Sequence, residues 1–373
     1  MGERAPFFRN KRSLSKKVGG SPDERDERDE RGRKGSKGGD GVEKGRLWWA
    51  ESWSVDPWEN LAMEECLWRR TGPGEAGLFL WQNRHTVVIG RHQNPWKECR
   101  VDALERDGGR LARRLSGGGA VYHDLGNLNF TFFLGKDLYD FGRQLEVIAR
   151  AVRSLGIPAE VSGRNDLLAE GRKFSGNAYL RGKHADFHHG TLLVDVDLER
   201  LERYLQVSPG KLEGKGVSSV RSRVINLREK NPRASVFRCR EALREAFEEE
   251  YGELGAPLSL EDLVPRDELV EVRGRYGGDL WRFGRTPPFS AAFERRFPWG
   301  QVELHFDVVS GVVRSCALFS DALDGELMAR IPGVLECAPF DPGALVEALT
   351  GTFGPEGPEE IEDMKNWLAS ALT

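Results

Sequence analysis

Three consecutive glycines, preceded by two arginines and followed by an apolar stretch, are the feature that most restricts how this chain can fold. They lie in the segment Arg113 to Val121, which reads Arg-Arg-Leu-Ser-Gly-Gly-Gly-Ala-Val. Glycine reaches conformations with positive φ and lets a ligand approach the backbone closely. Successive amides in such a loop can bind an anion, and arginine adds a planar donor for phosphate or carboxylate. Taken alone, the segment is equally consistent with a flexible turn before a strand.

Two later segments carry more polar groups. Gly163 to Asp166 leads into Lys173 to Tyr179, and the segment His188 to Leu193 follows. Adjacent residues of a strand point to opposite faces, so His188 and His189 are poorly placed to bind one metal. We therefore expect them to form hydrogen bonds in the core, and we expect a structural role for His123 as well.

Composition excludes several classes of function. The chain has 373 residues, with 55 basic and 59 acidic side chains and a formal net charge of -4. A slightly acidic chain is no general binder of polyanions, so we expect no nucleic-acid partner. No apolar run approaches the roughly 20 residues of a membrane helix, so we expect no membrane association. The scattered, odd number of cysteines predicts reduced thiols rather than a disulfide framework or zinc ribbon; they are Cys66, Cys99, Cys239, Cys316 and Cys337.

Residues 1–45 differ in composition from the rest. They contain an acidic and basic run from Asp23 to Glu30, then a stretch rich in glycine and lysine. Such a segment buries too little apolar surface to offset its ordering entropy, so we predict a disordered, charged tail. Its basic, serine-containing start is typical of a mitochondrial transit peptide, but the acidic residues argue against one. We expect a cytoplasmic protein, with mitochondrial import as the alternative.

The remaining chain mixes strands and helices without regular alternation, which favours an α+β fold over a doubly wound sheet. Asp56, Pro57 and Glu59 form a helix start. A turn at 124–127 is predicted to join a strand opened by Val121 and Tyr122 to a partner strand, Leu128 to Leu134. Further predicted strands are 78–81, 87–89 and 190–196, and further predicted helices are 141–155 and 238–251.

A domain boundary is expected where Gly252, Gly255 and Pro257 interrupt the helical pattern. We therefore divide the chain into a tail (1–45), a larger domain (46–255) and a C-terminal domain (256–373). In the last, Ser310-Gly311 predicts a hairpin between 302–308 and 312–319. Helices are predicted at 342–350 and 359–372, packed on that small sheet.

Together, these segments resemble the lipoate-protein ligase A family. The resemblance rests on Arg113 to Asn127, Gly163 to Asp166, Lys173 to Tyr179 and His188 to Leu193. Several uncommon motifs in one order make it highly specific, and it spans about residues 46 to 373. Other matching segments are Asp56 to Leu61, Leu78 to Trp81, Thr86 to Arg91, Gln93 to Cys99, Ser219 to Val224 and Val302 to Val308.

The resemblance implies a biotin/lipoate ligase-like catalytic domain with mixed sheets and helices, plus a small α+β accessory domain. It implies an enzyme that uses ATP and Mg²⁺ to convert lipoate or octanoate to an acyl-adenylate. The acyl group then passes to a lysine of a lipoyl domain, in 2-oxo acid dehydrogenase acyltransferase subunits or the glycine cleavage H protein. We expect the enzyme to act as a monomer.

The resemblance also implies roles for individual residues. Lys173 is the expected catalytic residue, a cation that brings carboxylate and phosphate together without a covalent intermediate. Asn165 and Asp166 are candidate Mg²⁺ ligands, although Asp166 equally suits a cap of the next turn. The residues expected to bind ATP or lipoyl-adenylate, besides Lys173, are Arg114, Ser116, Gly118, Gly119, Ala120, Val121, Tyr122, Asn127 and Ser175.

Several alternatives can be weighed from the sequence. Octanoyl transferases of this superfamily use a cysteine nucleophile, but no cysteine lies between Cys99 and Cys239, and Ser208 and the Asn165-Asp166 pair stand at comparable positions. Biotin ligases carry a Gly-Arg-Gly-Arg-x-Gly-Arg loop that is absent here. Ser116 lacks the Gly-x-Ser-x-Gly setting of a hydrolase nucleophile. A lipoyltransferase that accepts only preformed lipoyl-adenylate stays open, as does a non-catalytic binding module.

Overall fold

The computed structural model describes residues 46–206, 223–284 and 290–371. The predicted disordered tail and Ser208 lie outside these ranges. In the described ranges, no helix combines the length and apolar character needed to cross a membrane.

The described strands and helices, in chain order, are β1 (Leu47–Glu51), α1 (Pro57–Arg70), β2 (Ala76–Trp81), β3 (Thr86–Ile89), α2 (Pro95–Glu98), α3 (Val101–Arg106), β4 (Arg110–Arg113), β5 (Val121–His123), β6 (Asn127–Gly135), α4 (Phe141–Ser154), β7 (Glu160–Ser162), β8 (Asp166–Ala169), β9 (Arg172–Leu180), β10 (Ala185–Leu193), α5 (Leu198–Tyr204), α6 (Leu227–Lys230), α7 (Val236–Tyr251), α8 (Leu260–Leu263), α9 (Arg266–Gly277), α10 (Asp279–Arg282), β11 (Ala291–Phe297), β12 (Gly300–Val309), β13 (Val312–Ser320), α11 (Gly325–Leu335), α12 (Pro342–Phe353) and α13 (Glu359–Ala371). This mixture confirms the α+β prediction.

A large mixed sheet forms the centre of the molecule. Its seven strands lie in the order β1-β2-β6-β10-β9-β8-β7, and only the β1–β2 pair is parallel. Both faces are covered, so β6 and β10 are buried along their whole lengths. Helices α4 and α7 cover one face, whereas α1 contributes to the apolar cluster on the other.

Helix α1 begins where the sequence predicts. The Asp56 carboxylate accepts hydrogen bonds from the amides of Trp58 and Glu59, and Pro57 occupies the first turn. An acidic cap satisfies amides that have no partner inside the helix. The helix therefore starts at a fixed point and carries Leu61 and Glu64 to the interior.

A second sheet corrects the predicted pairing of β5. Its order is β4-β3-β5, and Val121 pairs with Val88, whereas β6 pairs with β2 and β10. The predicted hairpin between β5 and 128–134 is therefore wrong, although the turn itself is present. A Cβ on Gly126 would lie 2.0 Å from the carbonyl oxygen of Asp195. This close approach fastens the turn to the chain after β10, so β5 and β6 enter different sheets.

Strand β10 also differs from its prediction. We expected residues 190–196, but β10 runs from Ala185 to Leu193 and pairs with β6 throughout. It ends there because the amides of Val194 and Asp195 both donate to the carbonyl of Gly126. Those bonds belong to a turn rather than to a strand ladder.

A smaller unit follows near the C-terminus. Strands β11, β12 and β13 form an antiparallel sheet, and Ser310 and Gly311 take positive φ values of 52° and 76° at the β12–β13 turn. This confirms the predicted hairpin, because turns of this kind match strand twist. Buried side chains of α12 and α13 join the same apolar cluster, as expected. Helix α9 instead packs with α1, while the predicted domain boundaries stay a prediction.

Candidate active site

A cavity lies between the large sheet and the second sheet, β4-β3-β5. Its floor comes from four neighbouring strands of the large sheet (β2, β6, β10 and β9), and the glycine segment lies on the other side. Apolar and polar groups alternate around it. Its lining residues are Leu61, Trp81, Val88, Arg114, Gly118, Gly119, Ala120, Val121, His123, Asn129, Asn165, Lys173, Gly176, Asn177, Ala178, His189, Gly190 and Thr191. The three sequence segments singled out above therefore meet at one place.

The glycine loop is held from inside by Arg114. This side chain is buried, and its guanidinium donates to the carbonyls of Gly117 (2.6 Å) and Gly119 (2.8 Å). Gly118 between them has φ of +87°, a conformation that favours glycine. Burial lowers the pKa of Arg114 to about 10, so it stays charged at neutral pH. In this arrangement Arg114 shapes the loop, and its predicted contact with phosphate stays a prediction.

The neighbouring Arg113 joins three parts of the chain. Its guanidinium donates to the carbonyls of Gly90, Arg91 and Gln93, and also to those of Trp281 and Arg282. Burial lowers its pKa to about 10. The two arginines that precede the glycines thus donate to backbone carbonyls, Arg114 to those of the loop and Arg113 to those of two other segments.

The C-terminal unit touches the glycine loop directly. The amide of Gly118 donates to the carbonyl of Ala322 at 2.9 Å. A Cβ on Gly117 would lie only 2.1 Å from that same oxygen, so the two backbones meet where a side chain has no room. Close by, His92 Nε2 donates to the carbonyl of Gly325 at 2.8 Å. The loop is thus supported from both the catalytic and the C-terminal part.

A directed hydrogen-bond chain lies below the loop. Arg114 Nε donates to Ser116 Oγ (3.1 Å), and Ser116 Oγ lies 2.7 Å from His189 Nε2. His189 Nδ1 lies 2.8 Å from Glu64 Oε1, which also accepts from Thr131 Oγ1 at 2.6 Å. The Glu64 carboxylate only accepts, so His189 donates to it from Nδ1, and the Ser116 hydroxyl, which accepts from Arg114, links the chain to His189 Nε2.

This chain has the residue types of a hydrolase triad, but Ser116 is fully buried and does not line the cavity. We interpret it as a support that fixes the loop. Glu64 was not predicted as a site residue. The available signal was an acidic residue among the apolar positions of an amphipathic helix, where charge is rarely buried without a partner.

Lys173 enters the cavity from β9. Its Nζ lies 2.6 Å from Asp166 Oδ1, and the two side chains are 33% and 30% exposed. The side chain lies over Gly176, where a Cβ would come within 2.9 Å of Nζ. Asp166 is the first residue of β8, and it pairs with the lysine ammonium.

The side-chain amides of Asn165 and Asn177 each donate to the backbone carbonyl of the other residue. Asn165 Nδ2 donates to the carbonyl of Asn177 (2.7 Å), and Asn177 Nδ2 donates to the carbonyl of Asn165 (3.0 Å). In the described part of the chain, no group of three or more His, Cys, Asp or Glu side chains is arranged to hold a metal. The oxygen donors here are the Asp166 carboxylate, which pairs with Lys173, and the side-chain oxygen of Asn165, whose Nδ2 is the atom bonded to Asn177. The assignment of Mg²⁺ to Asn165 and Asp166 stays a prediction, and we derive no step through the ion.

Four of the residues predicted to bind ATP or lipoyl-adenylate do not line the cavity. Besides Ser116, these are Tyr122, Asn127 and Ser175. The Tyr122 hydroxyl points away to His85 Nδ1 at 3.0 Å, and Ser175 Oγ accepts from Asn177 Nδ2 at 3.1 Å. Asn127 Nδ2 donates to Asn129 Oδ1 at 2.8 Å. These residues support their neighbours that do line the cavity.

His188 and His189 face opposite sides of the large sheet, as expected for adjacent residues of a strand. His188 is buried on the α4 side, 3.0 Å from the side-chain amides of both Gln144 and Asn177, and burial lowers its pKa well below the usual value. His189 faces the opposite side. His123, however, lines the cavity, and burial lowers its pKa to about 3.

The apolar wall of the cavity was also missed as a site. Leu61, Trp81, Val88 and Ala178 line it, yet each reads in the sequence as ordinary core of a helix or strand. Nothing in apolar periodicity separates a residue that packs on protein from one that packs on a ligand.

Cysteine chemistry has no place at this site. Cys66, Cys99, Cys239 and Cys316 are buried, and Cys337 is exposed. Burial raises the pKa of each buried thiol to about 12. Among the described residues, none that lines the cavity is a cysteine.

Comparison with known proteins agrees with this architecture. Residues 56–248 match the model of the lipoyl protein ligase A/B catalytic domain, and residues 286–368 match that of the bacterial lipoate protein ligase C-terminus. Among solved structures, P. falciparum LipL1 in complex with lipoate is 25% identical, with a TM-score of 0.73 over 87% of this chain and 98% of that chain.

Two further structures align over the catalytic part. A bi-partite lipoate protein ligase, studied with its E2 lipoyl domain from Thermoplasma acidophilum, is 29% identical (TM-score 0.56, 66% of this chain and 99% of that one). A lipoate-protein ligase A bound with ATP is 28% identical (TM-score 0.55, 65% and 99%). Because the catalytic-domain match alone covers more than half of the sequence, and a C-terminal match follows it, this chain belongs to the lipoate-protein ligase A family.

Proposed function

We propose that this protein activates lipoate or octanoate with ATP to an acyl-adenylate and transfers the acyl group to a lysine of a lipoyl domain. Similar structures hold lipoate in one case and ATP in another, and a third belongs to a system that includes an E2 lipoyl domain. The acceptors expected are 2-oxo acid dehydrogenase acyltransferase subunits and the glycine cleavage H protein. The cytoplasmic location and the monomeric state stay predictions.

The observation that carries this proposal is the position of Lys173. Its ammonium lies in a cavity whose floor runs across four strands, from Gly176 on β9 to Trp81 on β2. With strands about 4.8 Å apart, the floor spans roughly 14 Å. The Lys173 ammonium lies at one end, and the Trp81 indole lies at the other. This shape suits an acid with an extended hydrocarbon chain, with its carboxylate at Lys173.

Lys173 has a specific task in the first step. The carboxylate attacks the α-phosphate of ATP, an acyl–phosphate bond forms, and pyrophosphate leaves. Both reacting groups are anionic, so a fixed cation between them offsets their repulsion and stabilises the charge that develops on phosphate. Lys173 meets this need when its ammonium turns from Asp166 toward the ligand oxygens.

The glycine loop supplies the second contribution. Gly118, Gly119 and Ala120 line the cavity with little or no side chain, so ligand oxygens can approach the backbone. Arg114 and the Ser116–His189–Glu64 chain fix this loop before the ligand arrives. Groups that are already oriented need no reorganisation in the transition state.

In the second step, an acceptor lysine amine attacks the adenylate carbonyl. The carbon–oxygen bond to phosphate breaks, AMP leaves, and an amide forms. No covalent acyl-enzyme is required, in agreement with the lack of cysteine among the described cavity residues. Lys173 serves this step as well, since the same ammonium can contact the carbonyl and the phosphate of the adenylate.

Pyrophosphate release tests the proposal. The purified full chain, given ATP, Mg²⁺ and lipoate, should release pyrophosphate, form acyl-AMP, and then acylate a lipoyl domain. Lys173→Ala should abolish most of the release. Arg172→Ala is the matched control, because Arg172 adjoins Lys173 but pairs with Glu229 at the surface. Acylation from preformed lipoyl-AMP alone, without pyrophosphate release, would show a transferase instead.

A further inference from the structure

His123 presents a hydrogen-bond donor that no group in the described part of the chain receives. It lines the cavity, and its buried Nε2 has no hydrogen-bond partner in the described part of the chain. Buried polar atoms in folded proteins are nearly always paired, so an exception at a ligand cavity calls for an explanation.

The protonation of His123 follows from a chain of side-chain amides. Asn60 Nδ2 donates to the carbonyls of Ser54 (3.0 Å) and Gln82 (2.8 Å), which fixes the orientation of the Asn60 amide. The same Nδ2 lies 3.0 Å from Asn83 Oδ1, so its two protons are shared among three acceptor oxygens. Asn83 is thereby oriented with its Nδ2 toward His123 Nδ1, 3.2 Å away.

Because Asn83 donates, His123 Nδ1 must accept. Burial, and then the charge of Arg114, lower the pKa of His123, so the ring is neutral. A neutral imidazole carries one proton, and here that proton lies on Nε2. The unpaired atom is therefore an N–H donor rather than an acceptor.

A second donor lies on the floor of the cavity. Asn129 Oδ1 accepts from Asn127 Nδ2 (2.8 Å), while Asn129 Nδ2 has no partner among the described residues. Asn129 pairs with Trp81 across β6 and β2, and the His123 ring meets Trp81 edge-on with centroids 6.2 Å apart. The two donors therefore flank the Trp81 end of the cavity, which is the end opposite Lys173.

The cavity floor places the far end of the ligand here. With its carboxylate at Lys173, the acid extends over β10 and β6 toward β2, roughly 14 Å away. A simple fatty acid brings only a methyl group to this end. A dithiolane brings two sulfur atoms, which are weak hydrogen-bond acceptors.

Resting on the proposed function, we infer that His123, assisted by Asn129, is a specificity residue that favours lipoate over octanoate by donating its Nε2–H to a dithiolane sulfur. A site built to donate a hydrogen bond disfavours an analogue that lacks the acceptor, because the buried donor then stays unpaired. No covalent step changes. Only the relative binding of the two acids depends on this donor.

The test is the ratio of kcat/KM for lipoate to kcat/KM for octanoate, measured by pyrophosphate release. His123→Phe keeps an aromatic ring and removes the donor, and the ratio should fall roughly threefold to tenfold, as expected for one ordinary hydrogen bond. His123→Gln keeps an N–H and should restore part of the ratio. His85→Gln is the control, since His85 bonds Tyr122 and does not line the cavity.

A spectroscopic measurement covers the case in which His123→Phe does not fold. In the wild-type chain, NMR of ¹⁵N-labelled histidine should show the Nε2–H tautomer of His123, and its proton resonance should shift with lipoate but not with octanoate. The Nδ1–H tautomer, or equal shifts with both acids, would overturn the inference. So would an unchanged ratio in a folded His123→Phe, which would show that the Nε2–H does not discriminate between the two acids.

The outcomes also separate this inference from the proposed function. If neither acid supports pyrophosphate release, the proposed activity fails. Calorimetric Kd values for lipoate and octanoate, with and without the His123 substitutions, would still test the donor. Release with both acids and an unaltered preference would refute the role of His123 alone.

Discussion

The ammonium of Lys173 lies 2.6 Å from the carboxylate of Asp166 at the mouth of the cavity, and each side chain is about one-third exposed. Water screens such a pair, which is worth about 0–1 kcal/mol. The lysine can therefore leave Asp166 at little cost when a ligand brings stronger anionic partners. The ion pair with Asp166 thus positions the ammonium at the cavity but is weak enough for a ligand to replace it.

We predict that Lys173→Ala lowers the rate of acyl-adenylate formation by about 10²–10³, the usual effect of removing one preorganised charge donor. Lys173→Arg should restore only part, because a planar fork does not replace a compact ammonium. Thermal unfolding should change little, since the side chain is about one-third exposed and its ion pair is screened by water. A folded Lys173→Ala protein with near-normal acyl-AMP formation would leave the loop backbone as the main source of stabilisation.

Two neighbouring glycines should respond differently to alanine. In Gly117→Ala the new Cβ would lie 2.1 Å from the Ala322 oxygen, a backbone atom, so the loop and the C-terminal unit must separate. We expect a loss of about 1–3 kcal/mol in unfolding free energy. In Gly119→Ala the Cβ meets nothing within 4 Å, and stability should hardly change. Urea denaturation of both variants measures this, and equal losses would contradict the contact.

Replacing all five cysteines with serine or alanine should leave acyl transfer largely intact. The four buried thiols have pKa values raised to about 12, so they carry almost no thiolate at neutral pH. Some stability should be lost at those buried positions. Mass spectrometry of the wild-type chain with substrate should show no thioester. A trapped acyl-cysteine would disprove the adenylate route.

Much of the catalytic fold could be predicted because its signals are local. Asp56 and Pro57 set the start of α1, and Ser310-Gly311 sets the β12–β13 turn. The pairing of β5 could not be predicted in the same way. It depends on the close approach of Gly126 to Asp195, a contact between residues far apart in sequence. Local turn chemistry shows that the chain reverses, but not which sheet it enters.

The candidate site was also predicted only in part. The sequence segments carrying Lys173, Gly119 and His189 were expected together, and the structure brings them to one cavity. Trp81 was not expected, because a residue on the inner side of a strand gives no sign that it faces a cavity. Glu64 was missed although its acidic side chain stands among the apolar positions of α1. Arg114 was assigned to phosphate from the family resemblance; its donors here reach loop carbonyls, and the contact with phosphate stays a prediction.

We predict that the free energy of unfolding falls at mildly acidic pH, above the range in which the carboxylates become protonated. Burial, as the first cause in each case, lowers the pKa of His92 to about 4 and of His123 to about 3, and takes that of His188 well below its usual value. In the unfolded chain these rings have pKa values near 6.5. Between those values the unfolded state binds protons that the folded state does not.

The free energy of unfolding therefore decreases as the pH falls through this range. Stability is fully present above about pH 6.5 and is lost as pH falls toward the folded pKa values, with a limiting slope of about 1.4 kcal/mol per pH unit for each histidine. Above pH 5.5 carboxylates with lowered pKa values, such as Asp56, stay ionised in both states. Urea unfolding at pH 7.5 and pH 5.5 should therefore show a clear loss, and His123→Gln should reduce that loss by the share of one histidine. Equal unfolding free energies at the two pH values would mean that these rings accept protons in the folded protein, contrary to their burial.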